Sequence, residues 1–439
     1  MTRRAWGALV LVLVVGAVWL NQGVGLARWK AERGTASAIA APFQFLYRRA
    51  PDEEMYFATA SATLGEPYDP KAFEIRGPTP LPVADVPADG RFHVPYAEVP
   101  FEYPPPNVPF VVAPRLFAGT FEGYARVFGA VMAGLLAAAA ALAARLGAVR
   151  AGTRDETASR LFVFAGLLLA HGAIAIQRLD ALVALLLVLV VRAGVRRDDG
   201  ALGFWSGLVG ATKVVPFVVG VAVLAATRPD RARVARFAAG SALGLGLGFL
   251  PMLALSPSSV ATFLRYHGAR GLNVESTLGV LYGAATRERA VLDFGSFNFH
   301  GGVADALAKL TTVLLVVLVA VVLRAAHRAS SNAVALAAVA ATLAVWLGGK
   351  VFSPQYLTWM LPLVLAVPGA GWRRLALAFG GVLVLTQLYY RGWFDHVYLQ
   401  KPLGVATMLA RLALLGVLFH RVLRALDPAP PPREEAAAQ

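Results

Sequence analysis

Apolar and polar residues fall along this chain in long alternating blocks. Apolar runs occupy 5–20, 124–146, 161–176, 179–195, 202–224, 237–255, 303–327, 333–347, 356–367, 375–389 and 405–423. Most come close to the ~17–25 residues that cross a bilayer core as a helix. Short basic or Pro/Gly-rich segments separate them, so the pattern predicts an all-α polytopic membrane protein. Two stretches carry a polar break: Gln177 and Arg178 interrupt 161–195, and Lys213 and Pro216 interrupt 202–224. Basic clusters flank each stretch on both sides, so each must leave one membrane face and return to it, as a helical hairpin. Counted in this way the chain has about twelve membrane segments, some too short to span fully.

The polar blocks are uneven. Residues 21–121, with Pro, Gly and charge throughout, are expected to form a large first extracytoplasmic loop with short amphipathic helices, one of them near 55–64. Residues 256–302 form a second long loop. The membrane domain is expected to cover 1–426, followed by a Pro-, Glu- and Ala-rich cytoplasmic tail, 427–439, that is disordered. Arg3 and Arg4 precede the first apolar run as in a secretory signal, but no small-x-small cleavage site follows Leu20, so an uncleaved first helix is the expectation.

Composition excludes a water-soluble body: 57% of the 439 residues are hydrophobic and 15% charged. The formal charge of +15 does not point to nucleic acid, because its residues cluster at the ends of apolar runs. Arg145/Arg150/Arg154/Arg160, Arg192/Arg196/Arg197, Arg228/Arg231/Arg233/Arg236, Arg324/His327/Arg328, Arg373/Arg374 and Arg421/Arg424 follow the positive-inside pattern. Both termini are then cytoplasmic in a multi-pass protein of the cell (inner) membrane. The absence of cysteine excludes disulfides and thiolate metal sites, and the seven His show no i, i+4 pairing of the kind zinc sites use.

Some charges break this pattern. Arg178, Lys213, Arg265, His267, Arg270, Lys350 and Arg391 fall on the outer side, where a positive pocket would receive a phosphate or pyrophosphate carried by a lipid. The plainer reading is pairing with carboxylates on the same side, or snorkelling to headgroups. Those carboxylates are Asp52, Glu53 and Glu54 in one run, Glu102, Asp180 and Glu275. Beside a low-dielectric boundary a carboxylate is suited to general-base work. The run at 52–54 also fits a solvated helix start, and Asp180 and Glu275 fit structural charge partners.

The motifs resemble those of GT-C glycosyltransferases, in particular the family 87 group of polyprenyl-phosphate-dependent, mannosyltransferase-like proteins. That family's first-loop pattern is matched by Asp52 and Tyr56, by Gly65-Glu66-Pro67-Tyr68 and by Glu102-Tyr103-Pro104-Pro105. Its Gln-x-x-Asp and Lys-x-x-Pro turns are matched by Gln177-Arg178-Leu179-Asp180 and Lys213-Val214-Val215-Pro216. Its long-loop and late-helix motifs resemble the segments from Tyr266 to Ser276 and from Gly349 to Tyr356. One departure is the Pro-rich stretch 69–101, longer than that family's separation of its first motifs.

The resemblance implies inverting transfer of a sugar, mannose or another hexose, from a polyprenyl-phosphate donor to a hydroxyl acceptor on the extracytoplasmic face. It implies Asp52 as catalytic base and places Glu53, Tyr56, Glu102, Tyr103, Asp180, Glu275, Gln355 and Tyr356 at the acceptor and sugar. Arg178, Lys213, Arg265, His267, Arg270 and Lys350 would hold the donor phosphate. No cofactor or metal is expected, although an acidic run can hold a divalent cation. The expected partners are the lipid-linked donor, a glycolipid, glycan or protein acceptor, and membrane lipids. The competing class is a transporter or flippase for an anionic lipid-linked substrate, against which stands the lack of a visible inverted repeat. A polymerase or ligase transferring a preassembled glycan from the same carrier is the third.

Overall fold

The computed structural model describes residues 5, 7–12, 15–16, 51–74, 86–149, 155–330 and 333–426. The expectations for most of the first helix, for 21–50, for part of the Pro-rich stretch and for the tail lie outside the described residues. The helices are α1 (Pro51–Thr63), α2 (Val108–Leu116), α3 (Phe121–Val149), α4 (Asp155–His171), α5 (Asp180–Arg196), α6 (Asp199–Thr212), α7 (Phe217–Ala226) and α8 (Arg231–Leu255). They continue as α9 (Pro257–Ala269), α10 (Thr277–Thr286), α11 (Gly302–Arg328), α12 (Val334–Gly348), α13 (Met360–Ala366), α14 (Gly371–Gln387) and α15 (Pro402–Leu426).

Among the described residues five helices are long and apolar enough to cross a membrane: α3, α4 with the turn of 3₁₀ helix after it, α8, α11 and α15. The other apolar runs are shorter helices. Every residue of α13 and every residue of α12 but the half-buried Leu336 is buried, so their unbroken apolar sequence reflects protein packed on nearly all sides. The two polar breaks are turns: α4 and its 3₁₀ extension give way to α5 at 176–179, and α6 gives way to α7 at 213–216.

Small residues set the closest helix contact. On α6, a Cβ at Gly203 would lie 2.0 Å from the Phe237 carbonyl oxygen, and one at Gly207 2.3 Å from that of Ser241. On α8, Gly240 and Gly244 meet α6 in the same way, each 2.2 Å from a backbone oxygen. Two Gly-x-x-x-Gly faces thus interlock, which lets the backbones of α6 and α8 touch.

Arginines seal one end of the bundle. Arg228 donates to the carbonyls of His327, Arg328 and Ala329 just past α11, and Arg233 grips Asp199 at the start of α6. Arg160, expected as a surface charge, is instead fully buried. It donates to the Val367 carbonyl at 2.8 Å and lies 4.5 Å from the Trp372 ring. Cations satisfy the unpaired carbonyls that helix C-termini leave.

Two expectations about the loops need correction. The chain is not wholly α: β1 (Leu272–Asn273), β3 (Ser296–Phe299) and β2 (Val291–Asp293) form an antiparallel sheet in that order within 256–302. Helix α1 is not amphipathic and its start is only partly solvated: Glu53, Met55, Tyr56 and all of 58–63 are buried, while Asp52 and Glu54 are half-buried. It packs on α2 and α3, and Tyr56 meets the Phe128 ring.

Candidate functional site

At the bundle end opposite these arginine caps, loops and helix ends enclose a cavity of about 990 Å³. Asp52, Glu102, Tyr103, Lys213, His267, Arg270, Glu275, Lys350, Gln355 and Tyr356 all line it. The Pro-rich stretch therefore does not separate Asp52 from Glu102. Arg178 and Asp180 stand behind this wall, bonded to residues in it. Glu53 and Tyr56 are buried within α1, and Tyr56 donates its hydroxyl to Tyr103 at 3.0 Å. Arg265 is exposed and is not among the lining residues.

The wall is built from local sequence rules. Pro51 opens α1, and Asp52, Glu53 and Glu54 fill its first turn, where carboxylates suit the positive end of the helix dipole. Helical side chains lean toward the N-terminus, so Asp52 reaches out of the helix start. Asp180 opens α5 in the same manner. Helix α6 stops at Lys213, whose backbone is extended, before the Val215-Pro216 pair that resists continued helix.

Lys213 and Asp180, the charges at the two breaks, meet: the ammonium lies 2.7 Å from Asp180 Oδ1. Trp359 donates its indole N–H to the same oxygen at 2.6 Å. The segment Pro354–Trp359 is 3₁₀ helix, in which side chains three apart eclipse. Its Tyr356 and Trp359 rings accordingly stack at 4.7 Å, and Lys213 sits 4.2 Å above Tyr356. Charge and ring faces together hold this cation at membrane depth.

Arg178 turns the other way. Its Nε lies 2.7 Å from Asp52 Oδ2 and donates to Gln355 Oε1 at 2.9 Å. Lys350 donates to the carbonyls of His267, Gly268 and Arg270 at 3.3, 3.2 and 2.7 Å, closing the C-terminal end of α9. Enclosure, and secondarily the Arg270 charge, lower its pKa. Arg270 reaches Ser296 Oγ at 2.6 Å and so ties α9 to the sheet. His267 faces the open cavity yet is crowded by protein. That enclosure first, then the charges of Arg270, Lys213 and Lys350, push its imidazole down to about 4.

Glu275 is buried, and burial raises its pKa against the opposing pull of Arg411. Tyr389 donates a hydrogen bond to its side chain, and Arg411 lies 3.6 Å from it while donating to its carbonyl at 2.9 Å. Across the cavity, Tyr266 donates to Glu102 Oε2 at 2.8 Å and approaches the Phe294 carbonyl at 3.2 Å. Phe294 and Gly295 have φ of 47° and 69°, the positive values that two-residue hairpin turns favour, and this tip hangs over the cavity.

Residues that the motif reading passed over include Trp359, Ser296, Arg411 and Tyr389, while Tyr266 opened a matched motif without being given a role. Asp305 and Lys309 of α11 also line the cavity. An Arg at position 411, inside an apolar run, was the one signal that could have marked its neighbourhood. Among the described residues no group of three His, Asp or Glu converges as a metal site requires. The whole arrangement gathers the carboxylates Asp52, Glu102, Glu275 and Asp305 and the cations Lys213, Arg270, Lys309 and Lys350 around one cavity.

The sequence profile of glycosyltransferase family 87 matches residues 101–354, more than half of the 439. No curated protein matches the chain.

Proposed function

The chain belongs to glycosyltransferase family 87 and is a membrane glycosyltransferase, and from that premise we propose that it moves a hexose, mannose first among them, from a polyprenyl-phosphate donor to an acceptor hydroxyl with inversion. The observation that carries this reading is the single cavity shared by Asp52, Lys213, Arg270 and Lys350. It faces outward, since the arginine-rich opposite end fits the cytoplasmic side of a cell (inner) membrane; both termini are then cytoplasmic.

In the reaction, Asp52 accepts the proton of the acceptor hydroxyl as its oxygen attacks the anomeric carbon. The bond from that carbon to the phosphate oxygen breaks on the opposite face, which inverts the centre. The polyprenyl phosphate departs with the electron pair, and Lys213 and Arg270 stabilise its charge while the neutral His267 imidazole donates a hydrogen bond to it. Lys350 assists by fixing the carbonyls beside Arg270. Glu102 and Tyr103 orient the acceptor, a glycolipid, glycan or protein, while Glu275 and Tyr356 meet the sugar. Side chains alone neutralise the leaving phosphate, so the reaction needs no metal or other cofactor.

The test uses purified protein in proteoliposomes with radiolabelled polyprenyl-phosphate mannose and a glycolipid acceptor fraction. Transfer is expected, falling by about 10²–10⁴-fold in Asp52→Asn, the range general-base catalysis supplies. Movement of the donor between leaflets without any transfer would instead make the chain a lipid-linked substrate transporter.

A further inference from the structure

The donors of Arg178 point at protein rather than at the cavity. Arg178 is 5% exposed, is not among the residues lining the space, and holds Asp52, Gln355 and the Gln177 carbonyl. A phosphate ligand would need N–H groups facing the substrate. The turn from Gln177 to Asp180 instead sends a cation one way and an anion the other: Arg178 to the candidate base, Asp180 to the cavity cation Lys213. Both arms also meet the segment Pro354–Trp359, one through Gln355 and one through Trp359.

We infer that Arg178 is a positioning residue for the transfer reaction, fixing the Asp52 carboxylate at the cavity wall where the acceptor hydroxyl arrives. The inference rests on the proposed reaction and assigns a role within it. When Asp52 takes the proton the pair loses its anion, yet the guanidinium keeps Gln355 Oε1 and the Gln177 carbonyl. A buried cation is therefore not stranded at the moment of chemistry.

Other charged or titratable groups surround the pair. Glu53 and Glu54 adjoin Asp52 on α1, Tyr56 lies one turn on, and Glu102, Tyr103 and Lys213 share its cavity wall. Tyr390 lies near the guanidinium. All stay in place when only Arg178 is changed.

The experiment measures kcat and donor KM separately for the full chain in proteoliposomes with radiolabelled polyprenyl-phosphate mannose. Arg178→Met is expected to lose about 10²-fold in kcat with donor KM within about threefold. Arg178→Lys should recover part of that kcat, since an ammonium restores the charge but lacks the planar fork. A raised donor KM with kcat little changed would make Arg178 a phosphate ligand and overturn the inference. Should the Met variant not fold, Gln355→Leu decides: a kcat loss of about tenfold at unchanged donor KM supports positioning, and a donor KM defect opposes it. Absence of transfer by the wild-type protein would defeat the transferase reading itself, a result separable from either variant's.

Discussion

At the scale of single residues, the site is a set of charges each held by something other than substrate. Lys213 and Asp180 make the clearest case. Asp180 is 1% exposed, so removing the ammonium leaves a buried carboxylate that keeps the neutral Trp359 indole donor but no cation in contact among the described residues. Lys213→Gln is expected to destabilise the protein by about 3 kcal/mol, as breaking one side of a buried pair does. Adding Asp180→Asn should recover most of that loss but not the donor affinity. Unfolding midpoints in detergent together with donor KM check this, and a double variant no more stable than the single would refute the pairing account. Lys213 stood out in the sequence as a charge interrupting an apolar run, and Asp180 as an outer-side carboxylate beside the other break. Their partnership did not, because they are separated by two helices and only the fold brings the breaks together. The same holds for Arg178, read as a phosphate ligand while its reach to Asp52, far back in the chain, was invisible. Sequence spacing identifies costly charges, and tertiary contact decides which cost is offset by which neighbour.

At the scale of elements, the apolar runs located the bundle helices but not α2, α9 and α10, which lie in the stretches read as loops, and the two polar breaks fell at turns. What the runs could not separate was burial in protein from burial in lipid, since both give unbroken apolar sequence. Helices α12 and α13 carry such runs with protein around nearly all of their side chains. The sheet escaped because its strands are two to four residues long, too short for a period-two signal. Three acids at the start of α1 also fitted a solvated helix start, whereas Glu53 is buried and Asp52 and Glu54 are half-buried. Small residues carried a message of their own at α6 and α8. With the Cβ position of Gly207 only 2.3 Å from a backbone oxygen, Gly207→Leu must drive the helices apart. Expected are a loss of at least about 2 kcal/mol, in the range of overpacking, and a matched fall in activity, because Lys213 hangs from the end of α6. Gly246, with nothing within 4 Å of its Cβ position, should accept Ala without either effect. Equal unfolding midpoints for the Gly207→Leu variant and wild type would refute the interlock.

At the scale of the molecule, the family match ends at 354, but the site does not. The loops bearing the late motifs are braced from the C-terminal helices. Phe297 of β3 stacks on Tyr398 at 4.2 Å, and the core under the sheet includes Tyr389, Val397 and Met408. Arg411 of α15 is the central strut. Buried to 1% exposure, it holds the Glu275 carbonyl and the Tyr389 hydroxyl and lies 4.6 Å from the Phe352 ring. It thereby joins the sheet loop to the loop carrying Lys350. Arg411→Met keeps most of the side-chain volume and removes these bonds, leaving Glu275 to take up a proton more readily in its buried site. The expected result is faster amide exchange across 272–299, read by mass spectrometry, with α6 and α8 as protected as in wild type. Activity should fall with it, as Arg270 is tied to this sheet through Ser296. Unchanged exchange across 272–299 would mean that the sheet stands without its strut, and that the C-terminal helices serve the membrane rather than the cavity.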